Sequence, residues 1–236
     1  MNCELIKVCG MRDVQNINEV AALNVDMMGF IFYPESPRFV KMISSMAGII
    51  PNYSRERLEK MQGEGFERKA NHPARVGVFV DEMPQTIITC IYNYNLDYVQ
   101  LHGAESREMV ENLRRTVDPD IHPGIKVIKA ISVKSAEDIE KYKEYEGIVD
   151  LFLFDTKCKS VGGSGEQFDW SVLENYKGET PFLLSGGIGP EDANRVLAFE
   201  HPKCVGIDLN SKFEIEPALK DVEKLKLFIN KIRGNE

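Results

Sequence analysis

The stretch Pro181-Phe-Leu-Leu-Ser-Gly-Gly-Ile-Gly-Pro190, carried on through Glu191-Asp192 to Phe199, and the run Cys204-Val-Gly-Ile-Asp-Leu209 beyond it set out one unit of the fold. An apolar run ends in a serine and two glycines, and Gly189-Pro190-Glu191-Asp192 then gives a helix-start signature. A second β-rich run closes the unit. Two such runs with a helical pattern between them predict parallel strands, because a parallel connection needs a crossover of about a dozen residues or more.

The same rhythm extends in both directions. Strands are predicted at Leu5–Cys9, Met27–Tyr33, Val76–Val80, Tyr98–Leu101, Ile125–Ile131, Leu151–Asp155, Pro181–Ser185 and Cys204–Leu209. Helices are predicted at about 13–23, 41–50, 84–94, 106–116, 135–145, 169–175, 190–199 and 217–232. Eight βα units in 236 residues predict an α/β chain folded as a closed (β/α)8 TIM barrel, a single domain over residues 1–236. The usual barrel length is about 250 residues, and an open doubly wound sheet more often carries roughly five to seven strands. One stretch breaks the rhythm. Pro51–Arg75 is charged and polar, and reads as a solvated insertion with a helix near 54–61.

Composition narrows the function. With 43% hydrophobic and 28% charged residues the chain has ordinary globular usage. A net charge of −8 argues against nucleic acid and anionic membrane as partners. Any anionic ligand must then find a local positive site. No apolar run is long enough to span a membrane, and no secretory leader is read at the amino terminus. The five cysteines form no CxxC pair, which argues against a disulfide framework or zinc site and for a reducing, cytoplasmic setting. The four histidines are scattered, so no metal is expected. The glycine signatures of nicotinamide binding, P-loops and serine hydrolases are missing. A homo-oligomer stays open.

Barrel active sites lie at the carboxyl ends of the strands, which singles out the polar residues there. Leu5, Lys7 and Cys9 share one strand face, as do Leu151, Leu153 and Asp155, so Cys9 and Asp155 are expected to face each other across the mouth. A thiol serves as a base once its pKa falls below the usual ~8.5, and a carboxyl group as an acid once its pKa rises above about 3.9. The plainer alternatives are a small buried hydrophobe for Cys9 and a loop cap for Asp155. Gly186-Gly187 and Asn210-Ser211 follow the seventh and eighth strands, where barrels commonly hold phosphate on backbone N–H groups. Arg38, in a proline-fenced turn, suits a carboxylate or phosphate, unless it pairs with Glu35 or another acid. The glycine-rich segment Lys157–Phe168 is expected to act as a lid, or else as a plain linker.

These blocks, taken in order, resemble the phosphoribosylanthranilate isomerase family of tryptophan biosynthesis. They are Lys7-Val-Cys-Gly10, Gly29-Phe-Ile-Phe-Tyr-Pro-Glu-Ser-Pro-Arg38, Arg75-Val-Gly-Val-Phe-Val80, Val99-Gln-Leu-His-Gly103, Leu153-Phe-Asp-Thr156, Gly162-Gly-Ser-Gly165 with Phe168-Asp-Trp170, Leu184-Ser-Gly-Gly187 and Gly206-Ile-Asp-Leu209. The resemblance implies a cofactor-free Amadori rearrangement of a phosphorylated small molecule, with Cys9 as general base and Asp155 as general acid. It further implies Arg38 at the anthranilate carboxylate, a phosphate cradle at Gly187 and Ser211, and Asp208 orienting that loop or the substrate amine. Gln100 and His102 would line the mouth. One departure stands out: Lys212 occupies a position where the family usually has glycine, so the loop is expected to differ there. Ser164 replaces the commoner threonine, and Pro51–Arg75 looks longer than the family pattern. Two other readings compete. One is the histidine-pathway isomerase, whose family pattern is a pair of aspartates as acid and base, one of them at the end of the first strand, where this chain has Cys9. The other is a non-catalytic barrel that binds a phosphorylated metabolite.

Overall fold

In the strand Leu5–Cys9 (β1), alternation sends Ile6 and Val8 outward against helices and Lys7 and Cys9 into the barrel. The computed structural model describes residues 4–41, 72–118, 121–156 and 169–234. The expected helix over 41–50, most of the 51–75 insertion with its helix near 54–61, and the lid over 157–168 lie outside them. Around β1, the strands Met27–Ile31 (β2), Ala74–Phe79 (β3), Tyr98–Leu101 (β4), Lys126–Val133 (β5), Leu151–Thr156 (β6), Phe182–Ser185 (β7) and Cys204–Leu209 (β8) pair in sequence order. All are parallel, and β8 pairs back onto β1 through Leu5 with Gly206 and Lys7 with Asp208, closing the barrel. The third strand starts at Ala74, so the polar insertion ends earlier than Arg75.

Two apolar layers follow from the period-two alternation. Met27, Val76, Val78, Ile128, Leu151, Leu153 and Leu183 fill the barrel interior below Cys9. Phe152, Phe154 and Phe182 point outward and pack edge-on around Tyr176, with ring centroids 5.2 Å apart for Phe154–Tyr176 and 5.4 Å for Tyr176–Phe182.

The outer helices are Val14–Ala21 (α1), Pro84–Tyr94 (α2), Arg107–Val117 (α3), Ala136–Ile139 (α4), Tyr142–Tyr145 (α5), Ala193–Ala198 (α6) and Val222–Arg233 (α7). The helix expected over 135–145 splits in two. Its buried residues Ile139, Tyr142 and Tyr145 recur every third position, and Lys141, Lys143 and Glu144 donate to carbonyls three residues back. Those three-residue bonds lie where the two short α-helices part, at a tight 3₁₀-type turn. Likewise 170–175 is a 3₁₀ helix, and 190–199 opens with a 3₁₀ turn at Pro190–Asp192.

The last helix starts later than expected. A small hairpin, Glu214–Glu216 (β9) against Leu219–Lys220 (β10), comes first. Asp221 then caps α7, accepting a hydrogen bond from Lys224 N at 3.0 Å. Asp221→Ala is expected to cost about 1 kcal/mol and to lower Tm by about 2–4 °C. An unchanged melting curve would show that the cap contributes nothing.

Candidate active site

At the carboxyl ends of the strands lies a cleft of about 180 Å³. Cys9, Gln100, His102, Asp155, Gly186, Gly187, Asp208, Asn210 and Ser211 line it, together with Ser185, Lys212 and the apolar Ile31, Val78 and Ile188. Cys9 ends β1 and Asp155 stands near the end of β6, with β7 and β8 between them on one side of the barrel. Both side chains reach the same space.

The thiol fits because its neighbour on β2 is a glycine. A Cβ at Gly29 would lie 2.6 Å from Cys9 Sγ. Below it, Lys7 is fully buried, with Nζ 2.8 Å from Asp208 Oδ1, and Ser185 Oγ donates to Asp208 Oδ2 at 3.2 Å. Burial works against the Lys7 ammonium, but Asp208 and Cys9 outweigh it and hold its pKa above the ordinary value. Cys9 departs from the sequence expectation of a lowered pKa. Burial pushes the thiol up, Asp208 adds to this, and the opposing pull of Lys7 and Lys220 does not cancel it.

Asp155 has its Oδ2 3.5 Å from His102 Nε2. On the other side of that ring the Gln100 amide donates to Nδ1 at 3.1 Å, which leaves Nε2 to carry the proton toward Asp155. The other end of the Gln100 amide, Oε1, is buried in the cleft wall and has no partner among the described residues.

The loops after β7 and β8 form the remaining wall. Gly186 and Gly187 have φ of +96° and +70°, a backbone that glycine adopts freely. Lys212, the departure that raised the question of a left-handed position, sits in the 3₁₀ turn Ser211–Phe213 without positive φ. The lysine is accommodated without strain and lines the cleft.

Arg38 stands outside this lining. It forms a two-pronged pair with Glu214, Nε to Oε1 at 2.8 Å and Nη2 to Oε2 at 2.6 Å. Glu35 instead accepts from Tyr33 Oη. Glu214 also takes Lys220 Nζ at 2.6 Å, and Lys220 donates to Asn210 Oδ1 at 2.8 Å. Burial disfavours the Glu214 carboxylate, but these two cations hold its pKa below the ordinary range. Asn16 hydrogen-bonds both backbone groups of Lys220 and so fixes the hairpin to α1. Arg38 thus connects to the cleft through Glu214, Lys220 and Asn210.

Sequence reasoning missed Lys7, Glu214 and Lys220. Lys7 carried a signal, a charge at an inward position of an apolar strand. The other two lie on a hairpin that no sequence pattern announced. Among the described residues, no group of three or more His, Cys, Asp or Glu side chains is placed to hold a metal ion, and no helix is long and apolar enough to cross a membrane.

Comparison with known proteins agrees with this geometry. A family model described as N-(5'phosphoribosyl)anthranilate (PRA) isomerase matches residues 6–231. The N-(5'-phosphoribosyl)anthranilate isomerase of Parabacteroides distasonis is 50% identical, with 97% of this chain and 93% of that protein covered. The enzyme of the same name from Phocaeicola vulgatus is 39% identical, with 97% and 98% covered. Among solved structures, the Thermotoga maritima phosphoribosyl anthranilate isomerase superposes with a TM-score of 0.72 at 28% identity, covering 98% of each chain. A phosphoribosyl anthranilate isomerase in complex with reduced 1-(o-carboxyphenylamino)-1-deoxyribulose 5-phosphate gives 0.70 at 26% identity, again covering 98% of each. A family model spanning nearly the whole chain, and relatives this similar over nearly their full length, establish that the chain belongs to the N-(5'-phosphoribosyl)anthranilate isomerase family.

Proposed function

We propose that Cys9 and Asp155 carry out the family's reaction from opposite sides of one sugar. That reaction converts N-(5-phospho-β-D-ribosyl)anthranilate to 1-(2-carboxyphenylamino)-1-deoxyribulose 5-phosphate, a step of tryptophan biosynthesis. Asp155 protonates the ribose ring oxygen, and the C1′–O bond breaks to give an iminium. The iminium acidifies the C2′ hydrogen, which the Cys9 thiolate removes. The resulting enolamine tautomerises to the ketone. The substrate nitrogen is the electron sink, so a positioned acid and a positioned base suffice. One observation carries this reading: the two groups come from well-separated strands and open into a single cleft.

The other walls fit the rest of the substrate. The glycine turn after β7 and the Asn210-Ser211 turn after β8 suit the phosphate, and Lys212 lines the cleft next to Ser211. Gln100 Oε1 is an unused acceptor for a sugar hydroxyl. His102 keeps Asp155 oriented, and Asp208 faces the substrate amine. Arg38, with Glu214 occupying one edge of its guanidinium, has its remaining N–H donors for the anthranilate carboxylate. Arg38→Ala is therefore expected to raise KM about tenfold, as losing a charged hydrogen bond does, with kcat little changed. Unaltered affinity for the product analogue would remove Arg38 from the site. The five cysteines form no CxxC pair, which suits a reducing compartment, and we place the enzyme in the cytoplasm.

Steady-state assays with the anthranilate substrate and with the aminoimidazole ribotide of histidine synthesis test the assignment. Turnover of the first is expected, and turnover of the second alone would contradict it.

A further inference from the structure

The strand that ends in Cys9 carries a charge for which the mechanism above has no use. Lys7 precedes Cys9 by two residues on the same inward face of β1, is 0% exposed, and pairs with Asp208 at 2.8 Å. Asp208, Ser185 and Cys9 all line the cleft, and Lys7, paired with Asp208, lies buried beneath that lining. An ammonium removed from water is costly to keep, and a pair that served stability alone is often replaceable by apolar packing. One carboxylate contact also accounts for only one of its three N–H donors.

The charged groups around Cys9 come from several elements. They are Lys7 on β1, Asp208 on β8, Lys220 on β10, Arg38 beyond β2 and, across the cleft, His102 and Asp155. Lys7 is the cation on the same strand face as the sulfur, two residues away and fully buried.

Resting on the reading of Cys9 as base, we propose that Lys7 is a positioning residue for the reaction: its buried ammonium is the counter-ion that stabilises the Cys9 thiolate when it forms beneath the sugar, and Asp208 holds the ammonium in place. Ionisation sends the thiol proton to solvent. The thiolate then takes the C2′ proton and becomes a thiol again, while Lys7 keeps all its protons throughout. The arrangement answers a difficulty in the site. Burial disfavours the thiolate, and a cation in the same dry interior opposes that penalty far more effectively than a surface charge screened by water.

The test follows thiolate absorbance and kcat/KM against pH in the wild type, Lys7→Met and Lys7→Arg, with Cys9→Ala as the spectroscopic blank. In Lys7→Met the thiolate fraction at any pH below the midpoint should fall at least about tenfold, the low end for loss of an adjacent opposite charge. Turnover should fall with it and recover as the pH rises, and Lys7→Arg should keep most of the wild-type profile. An unchanged titration would overturn the proposal, and so would a loss of activity equal at every pH, which would mean a structural role. If Lys7→Met fails to fold because Asp208 is stranded, Lys7→Met/Asp208→Asn removes both charges. The midpoint should still rise there, because Lys7 acts on the sulfur more strongly than Asp208 does. Wild-type turnover in Cys9→Ala would defeat the reading of Cys9 itself. A dead Cys9→Ala beside a normal Lys7→Met would defeat only the role of Lys7.

Discussion

Cys9→Ala loses at least about 10²-fold in kcat and still binds the reduced product analogue, because general acid–base groups contribute typically 10²–10⁴-fold. No neighbour is well placed to substitute for it. Asp208 is engaged by Lys7 and Ser185, and His102 lies between Gln100 and Asp155. Removing the sulfur strands no other buried charge, since Lys7 keeps Asp208, so the loss should appear in turnover and not in folding. The pH dependence has a definite sign. Burial holds the thiol above its ordinary pKa, and the reactive species is the thiolate. Because Asp155 must carry a proton while Cys9 carries none, the wild-type kcat/KM should follow a bell-shaped profile against pH, with the raised thiol pKa setting its upper limb. Full activity in Cys9→Ala, or an upper limb below the usual thiol range, would exclude the cysteine as the base of the free enzyme.

Asp155→Asn should cost at least about 10²-fold in kcat as well. The amide has nearly the same shape, and its oxygen can still accept from His102 Nε2, so the cleft keeps its form. It has no acidic proton to give the ring oxygen. The block then falls on opening of the sugar, before any proton leaves C2′. Affinity for the product analogue should be retained, and exchange of the C2′ hydrogen with solvent deuterium should be lost. A variant that turns over like the wild type would show that the proton comes from elsewhere.

The parts of this molecule that could be read from sequence are those governed by local pattern. β1, β4 and β8 begin and end where alternation and flanking residues put them. The cleft gathers most of the polar strand ends because the barrel brings every carboxyl end to one face. Where several patterns compete, sequence was a poorer guide. The pattern over 135–145 reads as one helix, whereas Ile139, Tyr142 and Tyr145 are buried at three-residue spacing across a break between two short α-helices. The β9–β10 hairpin escaped notice because its turn places Ala218 at φ +71°, where glycine or asparagine would have signalled it. Pairings across the chain left no local trace at all. Lys7 meets Asp208 across 201 residues and Arg38 meets Glu214 across 176, each because the barrel closes. The same limit applied to Cys9: its position was legible, but the burial that raises its pKa belongs to the folded interior.

The most direct measurement is a crystal structure of this protein with the reduced product analogue bound. We expect one pentose-derived chain in the cleft, with Cys9 Sγ against C2′ on one side and the Asp155 carboxyl group at the oxygen derived from the ring on the other. A ligand whose sugar carbons lie away from either group, or that meets both from the same side, would contradict the assignment of base and acid.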